Sequence, residues 1–213
     1  MLIANTKPIC LIGYNDSTIT QEAKFFISKE FNGNIIVLSP EEFINLNDKT
    51  IYQYGIAFTL DSIKRIEIIN IVESLQLDCI KYMHNSVVCY HDDPGSIIGR
   101  GTFVSPHCAI LLHATIGNHC IIEAYCLLSH YSELGDNVQL HPGVLIAGKT
   151  RIGKNSVFNF KSTVINGLTL CDDIELGATS TITKSIAQPG YYVGTPARRL
   201  GDRKLFTEGI EDV

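Results

Sequence analysis

No apolar run in the 213 residues approaches the roughly 20 needed to cross a bilayer, so no membrane span is expected. Paired cysteines are missing as well: the seven Cys form no CxxC and no other metal-like spacing. That argues against a zinc site and against a disulfide framework, and leaves free, buried thiols as the expectation. Positive charge is in short supply, with 17 Lys and Arg against 22 Asp and Glu and a net charge of -5. Nucleic acid and anionic membrane surfaces are therefore poor partners, and a small molecule is the better one. The opening MLIANTKPICLIG carries one Lys and no signal-peptide layout, which sets cytoplasmic as the expected location.

What is present suffices for a folded protein, since 45% apolar and 18% charged residues lie far from the composition of disordered chains. The first 90 residues alternate in type. Ile9 to Gly13 reads as a short strand, Ile19 to Phe31 as an amphipathic helix, and Asn34 to Leu38 as a second strand closed by Ser39-Pro40. A third strand, Gly55 to Thr59, leads to Asp61 as N-cap of a helix whose apolar face is Ile63, Ile66, Ile69 and Val72. This predicts a small βαβ unit with a parallel sheet. The loop Gly13-Tyr14-Asn15-Asp16-Ser17 lacks the G-x-G-x-x-G pattern, so a plain dinucleotide site is not expected there.

Beyond residue 90 the chain has a period of six. From Ile98, every sixth residue through Val104, Ile110, Ile116 and onward to Ile182 is aliphatic or Phe, fifteen hexads without a break. Four places after each comes a second register, Thr102, Cys108, Ala114, Cys120, Cys126, Ser132 and so on to Ile186, mostly small or β-branched. Neither a helix of period 3.6 nor a strand of period 2 holds one aliphatic position in phase at six. A longer period is also visible, because Gly99, Gly117, Gly135 and Gly153 each follow an aliphatic residue and lie 18 apart.

This pattern resembles the hexapeptide-repeat acyltransferases, in which three hexads make one triangular coil. The resemblance implies a left-handed parallel β-helix of about five coils, with residues 18 apart stacked at roughly 4.8 Å. The ending Val193-Gly194-Thr195-Pro196-Ala197-Arg198 is similar to the V-G-x-P-A-[KR] close of that family. A small α/β unit followed by such coils resembles the sialic acid O-acetyltransferase and UDP-amino-sugar N-acetyltransferase family over nearly the whole chain. Three parts follow: 1–90, a small Rossmann-like α/β domain for the sugar nucleotide; 91–187, the β-helix acyltransferase domain; 188–213, a loop and tail contacting CoA.

Acyl transfer from a thioester asks for a base near neutral pH and for a donor to the developing oxyanion, so the histidines come first. There are seven, at 84, 91, 107, 113, 119, 130 and 141. His107, His113 and His119 hold one place in three consecutive hexads and fall on three faces, so they cannot converge. That disfavours a trimeric metal-dependent hydratase of carbonic anhydrase type, and no metal is expected. His130, in Ser129-His130-Tyr131, matches the segment that carries the catalytic His in the family, and the resemblance makes it the general base. The family commonly has an acidic residue next, where this chain has Tyr131. Stacking at 18 puts Glu123 beside His141, and Glu123 falls where the family has an active-site Asn, so it is a second catalytic candidate that either orients His130 or pairs with His141.

By the same stacking Gly148 lies over His130 and Asn166 over Gly148, the column ending at Lys184. Ile146-Ala147-Gly148-Lys149 is similar to the family's A-G-[NK] segment, and the resemblance makes Gly148 the thioester contact and Asn166, Ala178, Thr195, Pro196, Ala197 and Arg198 candidates lining the cofactor groove. Arg198, Arg199, Arg203 and Lys204 are candidate cations for the CoA phosphates. Gly13, Tyr131 and His141 are the substrate-side candidates. Cys126, the thiol nearest His130, belongs to the inward register and is not a nucleophile candidate. The expected activity is acetyl-CoA-dependent transfer to an amino or hydroxyl group of a sugar or nucleotide-linked sugar in surface-glycan biosynthesis, by direct attack within a homotrimer. The alternative is a non-catalytic sugar-nucleotide-binding or scaffold protein on the same fold.

Overall fold

The computed structural model describes residues 2–3, 7–57, 62–89 and 97–203. Phe58 and Thr59 at the end of the expected third strand, the expected N-cap Asp61, and also His91 and Lys204, lie outside the described residues. The described residues fall into two compact units, one ending at Tyr82 and one beginning at Met83.

In the first unit Ile9–Ile12, Ile35–Leu38 and Gln53–Ile56 form a parallel sheet with Ile9–Ile12 in the centre. Ile9, Cys10, Leu11 and Ile12 are all fully buried, the two-sided burial that parallel strands between helices require. Helices α1 (Thr18–Ser28), α2 (Pro40–Ile44) and α3 (Ser62–Ser74) accompany it. Ser39-Pro40 does more than close a strand: Ser39 Oγ accepts from the Glu42 amide at 3.2 Å while the Glu42 carboxylate accepts from the Ser39 amide at 2.7 Å. This capping box starts α2.

The expected inner face of α3 is corrected. Ser62, Arg65, Ile68 and Val72 are the buried residues, and Ile63 is 47% exposed. With Ile at 63, 66, 68, 69 and 71, apolar spacing singles out no face. The Arg65 guanidinium decides it by donating inward to the Ile56 carbonyl at 3.0 Å, which satisfies a strand-end acceptor.

The second unit is a parallel β-helix whose coils have three two-residue strands. The first face stacks Ile97–Ile98, Thr115–Ile116, Glu133–Leu134, Arg151–Ile152 and Thr169–Leu170. The second stacks Phe103–Val104, Ile121–Ile122, Gln139–Leu140, Val157–Phe158 and Ile174–Leu176. The third stacks six strands, Val88–Cys89, Ala109–Ile110, Leu127–Leu128, Leu145–Ile146, Thr163–Val164 and Thr181–Ile182. Within the repeat partners are 18 residues apart, as in Leu127↔Leu145, whereas Val88 pairs Ala109, 21 residues on. That early strand carries the stack to about six turns, beyond the five expected. The second residue of each repeat strand fills the prism, from Val104 and Ile110 to Phe158 and Leu176, all fully buried.

The small register serves the corners. Thr102 Oγ donates to the Gly117 carbonyl at 2.8 Å, Ser132 Oγ to Ser129 at 2.7 Å, Cys108 Sγ to Glu123 at 3.0 Å and Cys126 Sγ to His141 at 3.2 Å. Corner carbonyls turned into a dry interior need such donors, which accounts for the buried thiols and hydroxyls. A third register, three places after the aliphatic one, turns the corners with φ near +60°: His107, His113, His119, Tyr125, Tyr131, Asn137 and Lys149 are among its members. His107, His113 and His119 therefore share a place because they share this left-handed backbone, which His tolerates better than most residues. They occupy three corners, where faces were expected.

The last coil is closed by an antiparallel hairpin, Gly190–Gly194 with Ala197–Gly201, whose first strand pairs with Ile174–Leu176. The end of the stack is thereby covered.

Candidate functional site

His130 stands at the corner where the third face turns into the first, immediately after Leu127–Leu128 and Ser129. The pairing Leu127↔Leu145 sets Gly148 in the next coil directly over it, and the Lys149 amide donates to the His130 carbonyl at 3.0 Å. A Cβ at Gly148 would lie 2.8 Å from His130 Nε2 and 3.0 Å from Cε1. The imidazole thus holds Nε2 against the bare surface of Gly148, while Nδ1 is 3.1 Å from Ser129 Oγ. The ring is exposed. Tyr131, in the left-handed position at φ +58°, lays its ring on His113 with centroids 4.8 Å apart and meets His130 edge-on at 6.0 Å.

Asn166 and Lys184, both exposed, continue the column above Gly148. At the end of the prism Lys184, Ser185, Gln188, Ala197, Arg198 and Arg199 line part of a cleft of about 330 Å³. Arg199 is partly engaged, donating to the Pro189 carbonyl at 3.0 Å and pairing with Asp202. Arg203 is drawn elsewhere: it pairs with Glu175 at 3.6 Å, with side-chain exposures of 7% and 10%, and donates to the Asn155 carbonyl. Burial pushes the Glu175 carboxyl up, and Arg203 opposes that shift. Among the described residues the cations lining the cleft are Lys184, Arg198 and Arg199, the last of them also held by Pro189 and Asp202.

Glu123 and His141 meet at the other edge of the third face, where the second face turns into it. Glu123 Oε1 is 3.6 Å from His141 Nδ1, both side chains are mostly buried, and Phe160 lies 5.3 Å from the imidazole centroid. Burial pushes the His141 imidazole below its ordinary range. Glu123 is therefore the neighbour of His141, with the strand Leu127–Leu128 between it and His130. Ala178 sits at this second edge as well, and the hairpin tip approaches it, the Gly194 amide donating to Ser180 Oγ at 2.8 Å and Thr195 Oγ lying 3.3 Å from Thr181 Oγ. One chain thus groups His130, Gly148 and Asn166 at one corner, and Glu123, His141, Ala178 and Thr195 at another. Cys126 is 1% exposed, and the neighbouring Cys108 sulfur together with burial pushes its thiol up, so it is no nucleophile.

Gly13 follows the central strand of the first unit. A side chain there would strike Thr20 Oγ, a fully buried group in the first turn of α1, so close packing by the helix explains the glycine. Two features were not anticipated from the sequence: Ser129 as a partner of His130, and the third, left-handed register. The hydroxyl was visible as the preceding residue, but its rotamer was not.

No protein-family model matches the sequence. UDP-3-O-acylglucosamine N-acyltransferase of Methylococcus capsulatus is 35% identical over 71 residues, which are 33% of this chain and 20% of that protein. The chain thus matches about a fifth of that relative's length. Among solved structures, the acetyltransferase domain of PglB from Neisseria gonorrhoeae superposes with a TM-score of 0.79 at 18% identity, covering 92% of this chain and 100% of that one. PerB from Caulobacter crescentus, solved with CoA and GDP-perosamine, gives 0.76 at 20% identity, covering 92% and 99%. Likeness at this identity establishes architecture, and it does so along almost the full length: the chain has the left-handed β-helix fold of these acetyltransferases.

Proposed function

We propose that the chain is an acetyl-CoA-dependent acetyltransferase acting on an amino or hydroxyl group of a sugar, carried on a nucleotide, in the synthesis of surface glycans. The observation that carries the reading is His130, whose Nε2 faces the side-chain-free surface of Gly148. Acetyl-CoA supplies the thioester. His130 takes the proton from the acceptor's nitrogen or oxygen at Nε2 as that atom bonds the acetyl carbon, the carbon–sulfur bond breaks, and the proton passes from His130 to the departing CoA sulfur; Gly148 leaves the room a thioester needs beside the base. Nothing in this scheme asks for a covalent enzyme intermediate, in keeping with the inward, protonated Cys126.

The residues fit the cofactor along their column. From Gly148 past Asn166 to Lys184 is two coils, and His130 to Lys184 is three, or roughly 14 Å at the usual strand spacing. Lys184 and Arg198 then supply positive charge at the cleft where a pantetheine arm of that length ends in phosphates. Ala197 already lines this cleft beside Lys184, whereas Thr195 and Ala178 belong to the same groove only if two chains build it, since they sit across the third face. That face supports association, because its outward row is apolar and open at Val88, 59% exposed, and Leu145, 43% exposed. A homotrimer, closing a ring in which one chain's His130 corner meets the next chain's His141 corner, completes the groove. Tyr131 and His141 then lie on the acceptor side, and within the first unit Gly13 ends the central strand at its carboxyl edge, where sheets of this kind bind nucleotides. A Caulobacter crescentus structure solved with CoA and GDP-perosamine, with a TM-score of 0.78 at 18% identity, is named a perosamine N-acetyltransferase, which favours an amino acceptor.

His130→Ala tests the reading. Turnover on the best acceptor from a panel of nucleotide-linked amino and hydroxyl sugars should fall by about 100-fold to 10,000-fold, with acetyl-CoA affinity nearly unchanged. A mutant within about threefold of wild type would remove His130 as the base. Light scattering should report three chains, and an active monomer at micromolar concentration would sink the trimer.

A further inference from the structure

We infer that Ser129 is the residue that positions His130, its hydroxyl accepting the Nδ1–H of the imidazole so that Nε2 is left as the proton acceptor at the Gly148 surface. The inference rests on the reading of His130 as the base. A neutral imidazole carries its proton on one nitrogen only, and the side that carries it is chosen by the hydrogen bond that nitrogen makes. Left to itself imidazole prefers the proton on Nε2, which would present an N–H where an acceptor lone pair is needed. Something must therefore favour Nδ1–H.

Three observations single out Ser129. Its Oγ is the group at hydrogen-bond distance from Nδ1, 3.1 Å away. Its backbone is held on both sides, the amide donating to Ile146 O at 2.9 Å and the carbonyl accepting from Ser132 Oγ at 2.7 Å, so the hydroxyl is presented from a fixed corner. Tyr131, the following residue, has its ring committed to His113 at 4.8 Å and faces His130 only edge-on. Its left-handed backbone at φ +58° points the side chain along the corner column. Above and below Ser129 in its own column stand Leu111 and Ala147, which bring no charge to compete for the hydroxyl.

A hydroxyl accepts the hydrogen bond from Nδ1–H without adding negative charge, so it selects the tautomer and does little to stabilise the imidazolium that forms during transfer. The expected effect of removing it is accordingly modest. In the full-length chain Ser129→Ala should lower kcat by about twofold to tenfold, the worth of one net hydrogen bond, and leave KM for acetyl-CoA within about twofold. The decisive readout is the ¹⁵N spectrum of His130: wild type should show the Nδ1–H form, and Ser129→Ala should move it toward Nε2–H. Ser129→Thr should restore both, and Ser129→Asp, whose carboxylate accepts the same hydrogen bond, should retain the Nδ1–H form. An unchanged tautomer in Ser129→Ala, or Nε2–H in wild type, overturns the inference. If His130→Ala is itself active the base assignment fails first; if it is inactive while Ser129→Ala matches wild type in rate and spectrum, only the positioning role falls.

Discussion

Gly148→Ala should separate activity from stability, by an amount that the packing around His130 sets. The added methyl would stand 2.8 Å from His130 Nε2, 3.0 Å from Cε1 and 3.0 Å from the His130 carbonyl. Non-bonded heavy atoms settle near 3.5 Å or beyond, so the contact is short by about 0.7 Å. The exposed imidazole can rotate away and the ring takes most of the change, while the carbonyl, tied to the Lys149 amide at 3.0 Å, has only to ease by a few tenths of an ångström. Relaxation of a side chain at the surface costs on the order of 1 kcal/mol, partly offset by the lower unfolded-state entropy of Ala. For a chain of this size that is a change of about 3 °C or less in Tm. The reaction is hit harder. A ring pushed aside by nearly 1 Å loses alignment with the acceptor, and displacement on that scale costs about 100-fold. Thiol release from acetyl-CoA with the best nucleotide-linked amino sugar, beside scanning calorimetry on the same samples, checks both halves. Activity within about threefold of wild type would refute the placement of Nε2 at the reacting centre, and a fall in Tm beyond about 10 °C would refute the claim that the ring yields.

Arg203→Ala should cost about 3 kcal/mol in urea unfolding, because it strands the buried Glu175 carboxylate without its partner. Arg203→Met combined with Glu175→Gln should recover much of that loss, and a single-mutant cost below about 1 kcal/mol would show that the pair is solvated. His141 should make the fold acid-sensitive. Its folded pKa is depressed by burial below the ordinary 6.5, so its contribution is fully present above 6.5 and is lost as pH falls through the folded value. His141→Gln should flatten the decline of Tm on acidification below that point. Glu123→Gln should steepen it, since the carboxylate 3.6 Å away favours the imidazolium, and an unchanged slope in both would remove the pair from the account. Glu123→Gln should also lower turnover if His141 serves the acceptor, measured on the same sugar panel.

The period of six was enough by itself to determine coil, core and columns, because a backbone that repeats every 18 residues must stack like on like. The placement of Gly148 over His130 and of Glu123 beside His141 follows from that arithmetic alone. The three strands of the first unit were legible for a related reason, as short apolar runs between turn residues. Other decisions needed the tertiary structure. The corner register holds His, Tyr, Asn, Lys, Asp, Thr and Gly, so composition hides the positive φ that all of them adopt. The burial of Arg65 beneath α3 and of Arg203 against Glu175 depends on carbonyl and carboxylate partners that packing brings in from distant residues. That Glu123 lies beside His141, with the strand Leu127–Leu128 between it and His130 of the same chain, follows from which edge of a face each occupies, a property of the closed coil. The hydroxyl of Ser129 turns toward Nδ1 by one side-chain rotation, and rotamers are chosen by surroundings that no linear pattern contains.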